Sequence, residues 1–403
     1  MLAELAGKNV LLLQGPAGPF FRRVAGRLRG QGCRVTKVNF NSGEDLYYPG
    51  LGFVCGRRAS RGLADVVRYR GGLEAWPDFF AELVRERAIA AVVLFGDCRP
   101  LHAAAIERAR SLGVRVLVFE EGYLRPHFVT LEENGVNGHS SLPRDAAFYR
   151  TLEPGELPPP RPVNATFTKS MVHTICYAAA AAMLKRRYPH YRHHRDIRPV
   201  HQAALWFRGG VRRVLHTVRD RDLDLRLKNG QQPPYFLVPL QVHLDSQMRH
   251  CSFASIEDFI RQVVASFARH APADTMLLFK HHPMDRAYRD YAPLIYELAA
   301  QYGLGERLLY ADVVDIGAAV RGALGAVMIN STVGISALAE GTPVKCLGSA
   351  IYDLPGLTHQ GSLDDFWQSP GSVDRELFER FCWWLRTKTQ LNGSVWSDIY
   401  ELG

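Results

Sequence analysis

Short apolar runs that alternate with amphipathic segments constrain the fold of this chain more than any other feature. In the first part of the sequence the apolar runs predict strands at residues 9–13, 34–41, 90–95 and 114–119. Helical spacing predicts helices from residue 20 to the glycines at 30 and 32, at 77–87 and at 101–112. This alternation is typical of a parallel β-sheet with helices on both faces. We therefore expect an α/β domain here.

The same alternation returns after the two prolines at 233–234. Strands are predicted at 235–242, 275–279, 307–310, 326–329 and 344–347, with helices between them, and a final helix is predicted within 374–391. A segment rich in proline and glutamate at 153–162 indicates a linker. The predicted organisation is an α/β domain at 1–155, a basic helical insert at 156–230, a second α/β domain at 231–370, and a C-terminal helix at 371–403 that packs back on the core.

Composition excludes several classes of protein. With 403 residues, 47% hydrophobic and 22% charged, the chain is globular and long enough for two or three domains. Its seven cysteines are scattered without metal-ligand spacing, which argues against a disulfide framework or a zinc site. The apolar run at 10–13 is too short for a signal peptide or a spanning helix, so we expect an intracellular protein. The net charge of +9 favours an anionic partner.

The segment at 326–340 predicts a strand, a polar turn and a helix. Ser331 and Thr332 would lie where this helix begins, with Asn330 just before them. A helix N-terminus offers free backbone N–H groups and the positive end of the helix dipole, which suits a phosphate group. The alternative is an ordinary helix cap.

A second candidate lies at the end of the strand predicted at 275–279, where Lys280, His281, His282 and Pro283 follow. A lysine and a histidine at this edge of a parallel sheet would supply the donors that a phosphate needs, and the histidine could protonate a departing phosphate oxygen. The alternative is that these side chains are structural.

The third candidate is the acidic pair Glu120 and Glu121, which precedes Gly122 at the end of another predicted strand. A carboxylate there could deprotonate an acceptor hydroxyl or attack an anomeric carbon, or it could belong to a solvated turn. The loop that contains Gly15 is expected to line the same cleft, although it lacks the dinucleotide fingerprint. Residues 129–144 are predicted to form a polar loop.

Between residues 169 and 226 the chain is basic, with aromatic residues interspersed. The basic residues of this segment include Lys185, Arg186, Arg187, Arg192, Arg195, Arg198, Arg208, Arg212 and Arg213, and the interspersed aromatic residues are Tyr188, Tyr191, Trp206 and Phe207. Such helices suit an anionic bilayer surface, and a solvated helical hairpin is the alternative. No nucleic-acid-binding signature accompanies the segment, so nucleic acid is not expected as a partner.

Taken together, these segments resemble the capsule polysaccharide β-Kdo transferases of the KpsS/LipB type over nearly the whole chain. The matching segments in the first half are Gln14-Gly15-Pro16, Pro19-Phe20-Phe21, Phe95-Gly96-Asp97-Cys98-Arg99-Pro100, Phe119-Glu120-Glu121-Gly122-Tyr123-Leu124-Arg125-Pro126 and Gly135-Val136-Asn137. Those in the second half are His282-Pro283, Asn330-Ser331-Thr332-Val333-Gly334 and Gly348-Ser349-Ala350-Ile351-Tyr352-Asp353. A related pattern occurs in bacterial sialyltransferases that use CMP-sugars. The resemblance implies a GT-B-like fold, with two Rossmann-like domains facing a cleft.

The resemblance also implies roles for individual residues. Glu121 would be the catalytic carboxylate, His282 would contact the CMP phosphate and assist its departure, and Ser331 with Thr332 would hold that phosphate. We add Lys280 and Asn330 to the phosphate site from their predicted positions, and Glu120 and Asp97 are reserve acids. Related two-module Kdo enzymes carry Asp at the position of Glu121, and the action of Glu121 as a base or as a nucleophile stays open.

The function implied is transfer of Kdo from CMP-Kdo, with retention, to a lyso-phosphatidylglycerol-type lipid, without a catalytic metal or other cofactor. The partners implied are the CMP-sugar donor, an anionic phospholipid acceptor with its membrane surface, and other capsule-assembly proteins. The enzyme would be peripheral on the inner face of the cytoplasmic membrane. Two alternatives stay open: a transferase that uses another CMP- or CDP-activated donor, and a non-catalytic polysaccharide-export component.

Overall fold

The computed structural model describes residues 1–48, 65–163, 167–193, 199–397 and 399–400, and it divides into two compact units. The N-terminal unit contains Met1–Ser141, Glu156–Gln202 and Leu385–Gly403, and the C-terminal unit contains Leu142–Gly155 and Ala203–Trp384. The predicted insert at 156–230 is therefore not a separate body, because its two parts pack into different units. Arg195, Arg198 and the acid between them fall outside the described residues.

The N-terminal unit is built on a mainly parallel sheet. Its first strands are β1 (Asn9–Leu12), β2 (Arg34–Asn39), β3 (Asp65–Arg68), β4 (Ala91–Phe95), β5 (Arg115–Glu121) and β6 (Phe128–Glu133). The helices of this part of the chain are α1 (Phe20–Gly30), α2 (Ser42–Tyr47), α3 (Trp76–Glu86), α4 (Pro100–Ser111) and α5 (Ala146–Arg150), the last of which belongs to the C-terminal unit. Every residue of β4 is buried, because helices cover both faces of a parallel sheet.

Three helices follow the linker: α6 (Phe167–Met183), α7 (Pro199–Arg219) and α8 (Arg221–Lys228). Helix α6 belongs to the N-terminal unit, whereas α8 and α7 from Ala203 onward belong to the C-terminal unit. Among the described residues, no helix combines the length and the apolar character needed to cross a bilayer.

The C-terminal unit contains a five-stranded sheet whose neighbouring strands are all parallel, in the order β11-β10-β7-β8-β9. Its strands are β7 (Tyr235–Pro239), β8 (Met276–Lys280), β9 (Leu308–Ala311), β10 (Gly325–Met328) and β11 (Val344–Cys346). Its later helices are α9 (Ile256–His270), α10 (Ala292–Gln301), α11 (Ile316–Arg321), α12 (Val333–Glu340), α13 (Leu363–Gln368) and α14 (Arg375–Lys388). Helix α9 buries Phe259, Val263 and Phe267 along one face, as its spacing predicts.

After α14 the chain returns to the N-terminal unit as β12 (Gln390–Asn392), which pairs antiparallel with β6. The complete sheet has the order β12-β6-β5-β4-β1-β2-β3. The prediction of a loop at 129–144 is thus wrong at its start, because β6 pairs antiparallel with β5 and buries Val129 and Leu131. The pairing of β6 with β12 is long-range, and the polar residues that follow β6 hide this strand in the sequence.

The prediction of two Rossmann-like α/β domains is confirmed. Most predicted strands and helices appear within one or two residues of their expected ends, because each carries an apolar face of the correct period.

Candidate functional site

The carboxyl ends of β7 and β10 are linked by hydrogen bonds at one edge of the C-terminal sheet. Gln241, just after β7, donates from Nε2 to Oδ1 of Asn330 at 2.9 Å, and Asn330 donates from Nδ2 to the carbonyl of Gln247 at 3.0 Å. Both ends of the Asn330 amide are therefore engaged by the protein. These bonds fix the turn that precedes α12, and a phosphate contact from Asn330 stays a prediction.

His282 follows β8 at the same edge. Its Nδ1 accepts a hydrogen bond from the backbone N–H of Met284 at 3.1 Å, which places the proton of a neutral ring on Nε2. Burial, with a further contribution from Lys280, lowers the pKa of His282 to about 4. In the free protein the ring is therefore a neutral hydrogen-bond donor at physiological pH. A bound phosphate would favour its protonated form and raise this pKa.

Ser331 and Thr332 lie where α12 begins, as predicted. Ser331 Oγ accepts a hydrogen bond from the N–H of Val333 at 3.3 Å, and Thr332 is the N-cap residue, with its own side chain not used for capping. Within the described part of the chain, no acceptor pairs with the backbone N–H of either residue. These N–H groups, the two hydroxyls and the helix dipole together suit an anion.

Tyr352 packs against this turn. Its hydroxyl donates to the carbonyl of Ser331 at 2.5 Å, and its ring fills the space beside Gly334, where a Cβ atom would lie 2.2 Å from the same hydroxyl. Tyr352 belongs to one of the segments that carry the family resemblance, but the sequence assigned it no role. Only the structure shows that it positions the 331–332 turn.

Lys280, the last residue of β8, is buried within a charged cluster. Its Nζ donates to the carbonyl of His281 at 2.8 Å, and burial lowers its pKa to about 8, although the carboxylate of Asp312 acts in the opposite direction. Asp312 in turn pairs with Arg286 at 2.5 Å. The ammonium is thus already engaged by the protein, and a phosphate contact from Lys280 stays a prediction.

In the N-terminal unit, Glu120 and Glu121 are the last two residues of β5, and their side chains point to opposite faces of the strand. Glu121 is exposed at the end of the strand, but the protein atoms around its carboxyl group desolvate it and raise its pKa. The positive charge of Arg125 acts in the opposite direction. Glu120 is half-buried and accepts a hydrogen bond from the N–H of Glu121 at 2.9 Å. Burial, with contributions from Glu121 and Asp97, raises the pKa of Glu120 to about 7.

A guanidinium lies beside Glu120. Arg99, which follows β4, donates from Nη1 to the carbonyl of Gly15 at 3.1 Å, and its positive charge lowers the pKa of Glu120. Burial lowers the pKa of Arg99 itself, which shows that this cation is poorly solvated. The loops after β1 and β4 thus meet Glu120 at one edge of the sheet. Gly15 takes part through its backbone, and the sequence did not single out Arg99 as a site residue.

The β12 strand holds the turn that follows the acidic pair. Gln390 accepts hydrogen bonds from the N–H groups of Tyr123 and Leu124, at 3.0 and 3.3 Å, and donates to Thr130 at 3.0 Å. At Gly122 a Cβ atom would lie 2.0 Å from the carbonyl oxygen of Phe128, so no other residue fits this backbone.

Asp97, the reserve acid, has a structural role. Its carboxylate accepts from the backbone N–H of Val136 at 3.0 Å and contacts Nδ1 of His139 at 3.1 Å, and it is almost fully buried. These contacts tie the loop after β4 to the loop after β6.

Residues 90–396 match the family model described as "Capsule polysaccharide biosynthesis protein". The chain belongs to this family. It is 42% identical over 389 residues to the Escherichia coli protein named capsule polysaccharide export protein KpsS. The alignment covers 96% of this chain and 97% of that protein. It is 39% identical to the capsule polysaccharide modification protein LipB of Neisseria meningitidis serogroup B, over 98% of this chain and 93% of the relative.

Among solved structures, this capsule family member is similar to the β-Kdo 2,7 transferase of Thermosulfurimonas dismutans KpsC. The TM-score is 0.41 and the identity 13%, over 93% of this chain and 99% of that chain. A second similar structure is Anabaena Alr3699/HepE in complex with UDP-glucose, with a TM-score of 0.34 and 10% identity, over 90% of this chain and 88% of that chain.

Tyrosines of the predicted basic insert form hydrogen bonds within the N-terminal unit and are not all directed toward a membrane surface. Tyr177 of α6 accepts from Asn41 at 2.6 Å and Tyr191 accepts from Gln14 at 2.6 Å, while Tyr188 donates to Asp45 at 2.8 Å. The tyrosines thus cap the carboxyl ends of β1 and β2 within the N-terminal unit. The prediction that Tyr188 and Tyr191 face a membrane is therefore wrong, because their hydroxyls form hydrogen bonds with polar side chains at the edge of the sheet.

The structure therefore collects the predicted residues into two sets. Gly15, Glu120 and Glu121 lie at the carboxyl edge of the N-terminal sheet, and His282, Asn330, Ser331 and Thr332 lie at the corresponding edge of the C-terminal sheet. Lys280 ends β8 at that second edge, although its side chain is buried among other charged groups.

Proposed function

We propose that this protein is a glycosyltransferase of capsule biosynthesis that transfers Kdo from CMP-Kdo to a lyso-phosphatidylglycerol-type lipid. The observation that carries the proposal is that a neutral, Nε2-donating His282 lies at the same edge of the C-terminal sheet as the unpaired N–H groups and the hydroxyls of Ser331 and Thr332. Both groups of donors suit the phosphate of a CMP-sugar. Membership of the capsule polysaccharide biosynthesis family is consistent with this donor.

In the proposed reaction, the bond between the anomeric carbon and the phosphate oxygen breaks, and its electron pair leaves with CMP. His282 and the 331–332 turn stabilise the negative charge that develops on the phosphate. An acceptor hydroxyl forms the new bond to the anomeric carbon, and its proton passes to a carboxylate. Glu121, which is exposed at the end of β5, is that carboxylate in a single displacement. In a double displacement, which retains configuration, Glu121 is first the nucleophile; its bond to the anomeric carbon then breaks as the acceptor oxygen bonds there, and the released carboxylate takes the acceptor proton.

Glu120 has a supporting part in this proposal. Its carboxyl group is hydrogen-bonded to the backbone of Glu121 and has a pKa of about 7, so near neutral pH it changes protonation state beside the acting carboxylate. Arg99 limits this rise of the pKa and offers a cation to an anionic substrate group.

The enzyme proposed here acts on the inner face of the cytoplasmic membrane, beside other capsule-assembly proteins, and its chemistry uses no metal. The lipid acceptor and the membrane location rest on the family resemblance and on the net positive charge of +9.

The test is CMP release from CMP-Kdo, with and without lyso-phosphatidylglycerol, for the wild type, Glu121→Gln and His282→Ala. A matched control is Glu82→Gln, which changes an exposed acid on α3. We expect acceptor-dependent release that both site variants abolish and the control retains. Release from a different CMP- or CDP-linked donor alone would replace Kdo in the proposal, and CMP binding without release from any donor would support an export component.

A further inference from the structure

Helix α7 turns its polar side toward the protein. Arg208 donates from Nε to the carbonyl of Ala287 at 2.9 Å, and Arg212 donates from Nη1 to the carbonyl of Arg286 at 3.0 Å. One turn later, Nδ1 of His216 contacts the carboxylate of Asp312 at 2.9 Å. All of these contacts lie within the C-terminal unit. The packed side of α7 is thus its charged side, where Arg212 and His216 are half-buried.

The close contact on this side depends on a glycine. A Cβ atom at Gly209 would lie 3.2 Å from the Cβ of Ala287, so the small residue lets the helix approach its neighbour. Helix α7 therefore packs against the C-terminal unit along the line of Gly209, Arg212 and His216.

The opposite side of α7 is apolar and faces solvent. It carries an apolar stripe, defined here as Phe207, Val211, Val214, Leu215 and Val218. Spacings of four, seven, eight and eleven residues from Phe207 put these side chains on one face of an α-helix. Phe207 is 76% exposed, Val214 66% and Val218 74%. A water-soluble surface helix has the reverse arrangement, and a contiguous exposed apolar patch marks an interaction surface.

The charge around the stripe indicates the chemistry of its partner. Helix α7 contains arginines and no aspartate or glutamate, and Arg213 is exposed at the side of the stripe. Trp206 lies at the same border and is 37% exposed. An apolar face bordered by arginine and tryptophan suits the interface of a bilayer, where the arginine meets lipid phosphates and the indole lies at the headgroup level.

We propose that the apolar stripe of α7 inserts into an anionic lipid bilayer, with the helix lying along the membrane surface. The inference rests on the proposed function for its lipid acceptor and deepens it by naming the membrane-binding surface. Attraction between arginine and lipid phosphate brings the protein to the bilayer, and burial of the stripe then holds it there. Binding should therefore keep a part that high salt does not remove.

The test is co-sedimentation of the full chain with vesicles of phosphatidylglycerol and phosphatidylcholine, and with vesicles of phosphatidylcholine alone. The variant Phe207→Ser/Val218→Ser removes two exposed side chains of the stripe, and Ile316→Ser/Leu324→Ser, which removes exposed apolar side chains elsewhere in the C-terminal unit, is the matched control. We expect the stripe variant to lose about tenfold or more in affinity for the anionic vesicles, since each buried apolar side chain adds to interfacial binding. The control should bind as the wild type does.

CMP release with an acceptor dissolved in detergent separates this inference from the proposed function. A stripe variant that keeps this activity but loses vesicle binding supports the inference. A wild type that binds vesicles but releases no CMP also supports membrane binding by the stripe, and it contradicts the proposed reaction. Equal vesicle binding by the stripe variant and the wild type overturns the inference. A wild type that ignores vesicles but self-associates through the stripe also overturns it, in favour of a second copy as the partner.

Discussion

The hydroxyl of Tyr352 donates a hydrogen bond to the carbonyl of Ser331 at 2.5 Å, while its ring lies against the Cα of Gly334. One buried tyrosine thus fixes the backbone from which the proposed phosphate donors project. One substitution tests its hydrogen bond to Ser331, and another tests the packing of its ring against Gly334.

Tyr352→Phe keeps the ring and removes the hydrogen bond. We expect a loss of about 1 kcal/mol in the free energy of unfolding and several-fold weaker CMP binding, because the carbonyl of Ser331 loses a buried partner. Gly334→Ala should cost more, about 1–3 kcal/mol, since its methyl group would overlap the hydroxyl of Tyr352. Thermal unfolding and calorimetric titration with CMP measure both. Unchanged CMP affinity in a folded Tyr352→Phe would contradict a positioning role.

His282 should stay neutral in the free protein down to about pH 5, because burial lowers its pKa to about 4. Its ring carbons should therefore show no NMR titration between about pH 5 and pH 8, and added CMP should raise the pKa. His282→Ala should weaken CMP binding at least tenfold, as expected for a lost hydrogen bond to a charged group. His270→Ala, a change of a half-buried histidine at the end of α9, is the control. A His282 titration near pH 6.5 without ligand would be inconsistent with the buried ring.

Glu120 should make stability depend on pH. Its pKa in the folded protein, about 7, lies above the ordinary value of 4.5, so the folded state binds the proton more tightly than the unfolded state does. The wild type should then lose stability as pH rises from about 5 to about 8, on the order of 1 kcal/mol relative to Glu120→Gln, which cannot ionise. Urea denaturation of both proteins across this range measures the difference. Parallel pH profiles would show that Glu120 titrates normally.

Arg99→Gln should raise the pKa of Glu120 further, because the guanidinium favours the carboxylate form. The decisive measurement is the Glu120 carboxyl titration by NMR in the variant and in the wild type. If CMP release requires the ionised form of Glu120, the pH dependence of the rate of CMP release should also move toward higher pH in this variant. A downward shift of the Glu120 pKa would refute the proximity argument. Arg85→Gln, a change of an exposed residue on α3, should leave the titration unchanged.

Gln390→Ala should destabilise the turn that follows the acidic pair. The substitution leaves the N–H of Leu124 without its acceptor and the N–H of Tyr123 with Thr130 Oγ1 alone, at 3.2 Å. An unpaired buried donor costs about 1–3 kcal/mol. We expect faster hydrogen exchange at Leu124 and a lower rate of CMP release at unchanged CMP affinity. An equal loss of CMP affinity would indicate general unfolding and not a local effect.

The sequence alone determined the two α/β domains and the positions of the polar residues at strand ends. Apolar periodicity is local, and it is enough to place β5 before Glu121, β8 before His282, and β10 before Ser331. The same reasoning missed β6 and β12, because their pairing joins segments far apart in the chain.

What each side chain does was decided by tertiary structure. Asn330 and Asp97 look available in the sequence, but partners from other loops engage them, and Gln390 reaches Tyr123 across 267 residues. Helix α7 is amphipathic in the sequence, yet only tertiary packing showed that its charged side contacts the protein and its apolar stripe is exposed. Periodicity fixes which residues share a face, whereas the choice of the buried face depends on long-range contacts that no local pattern contains.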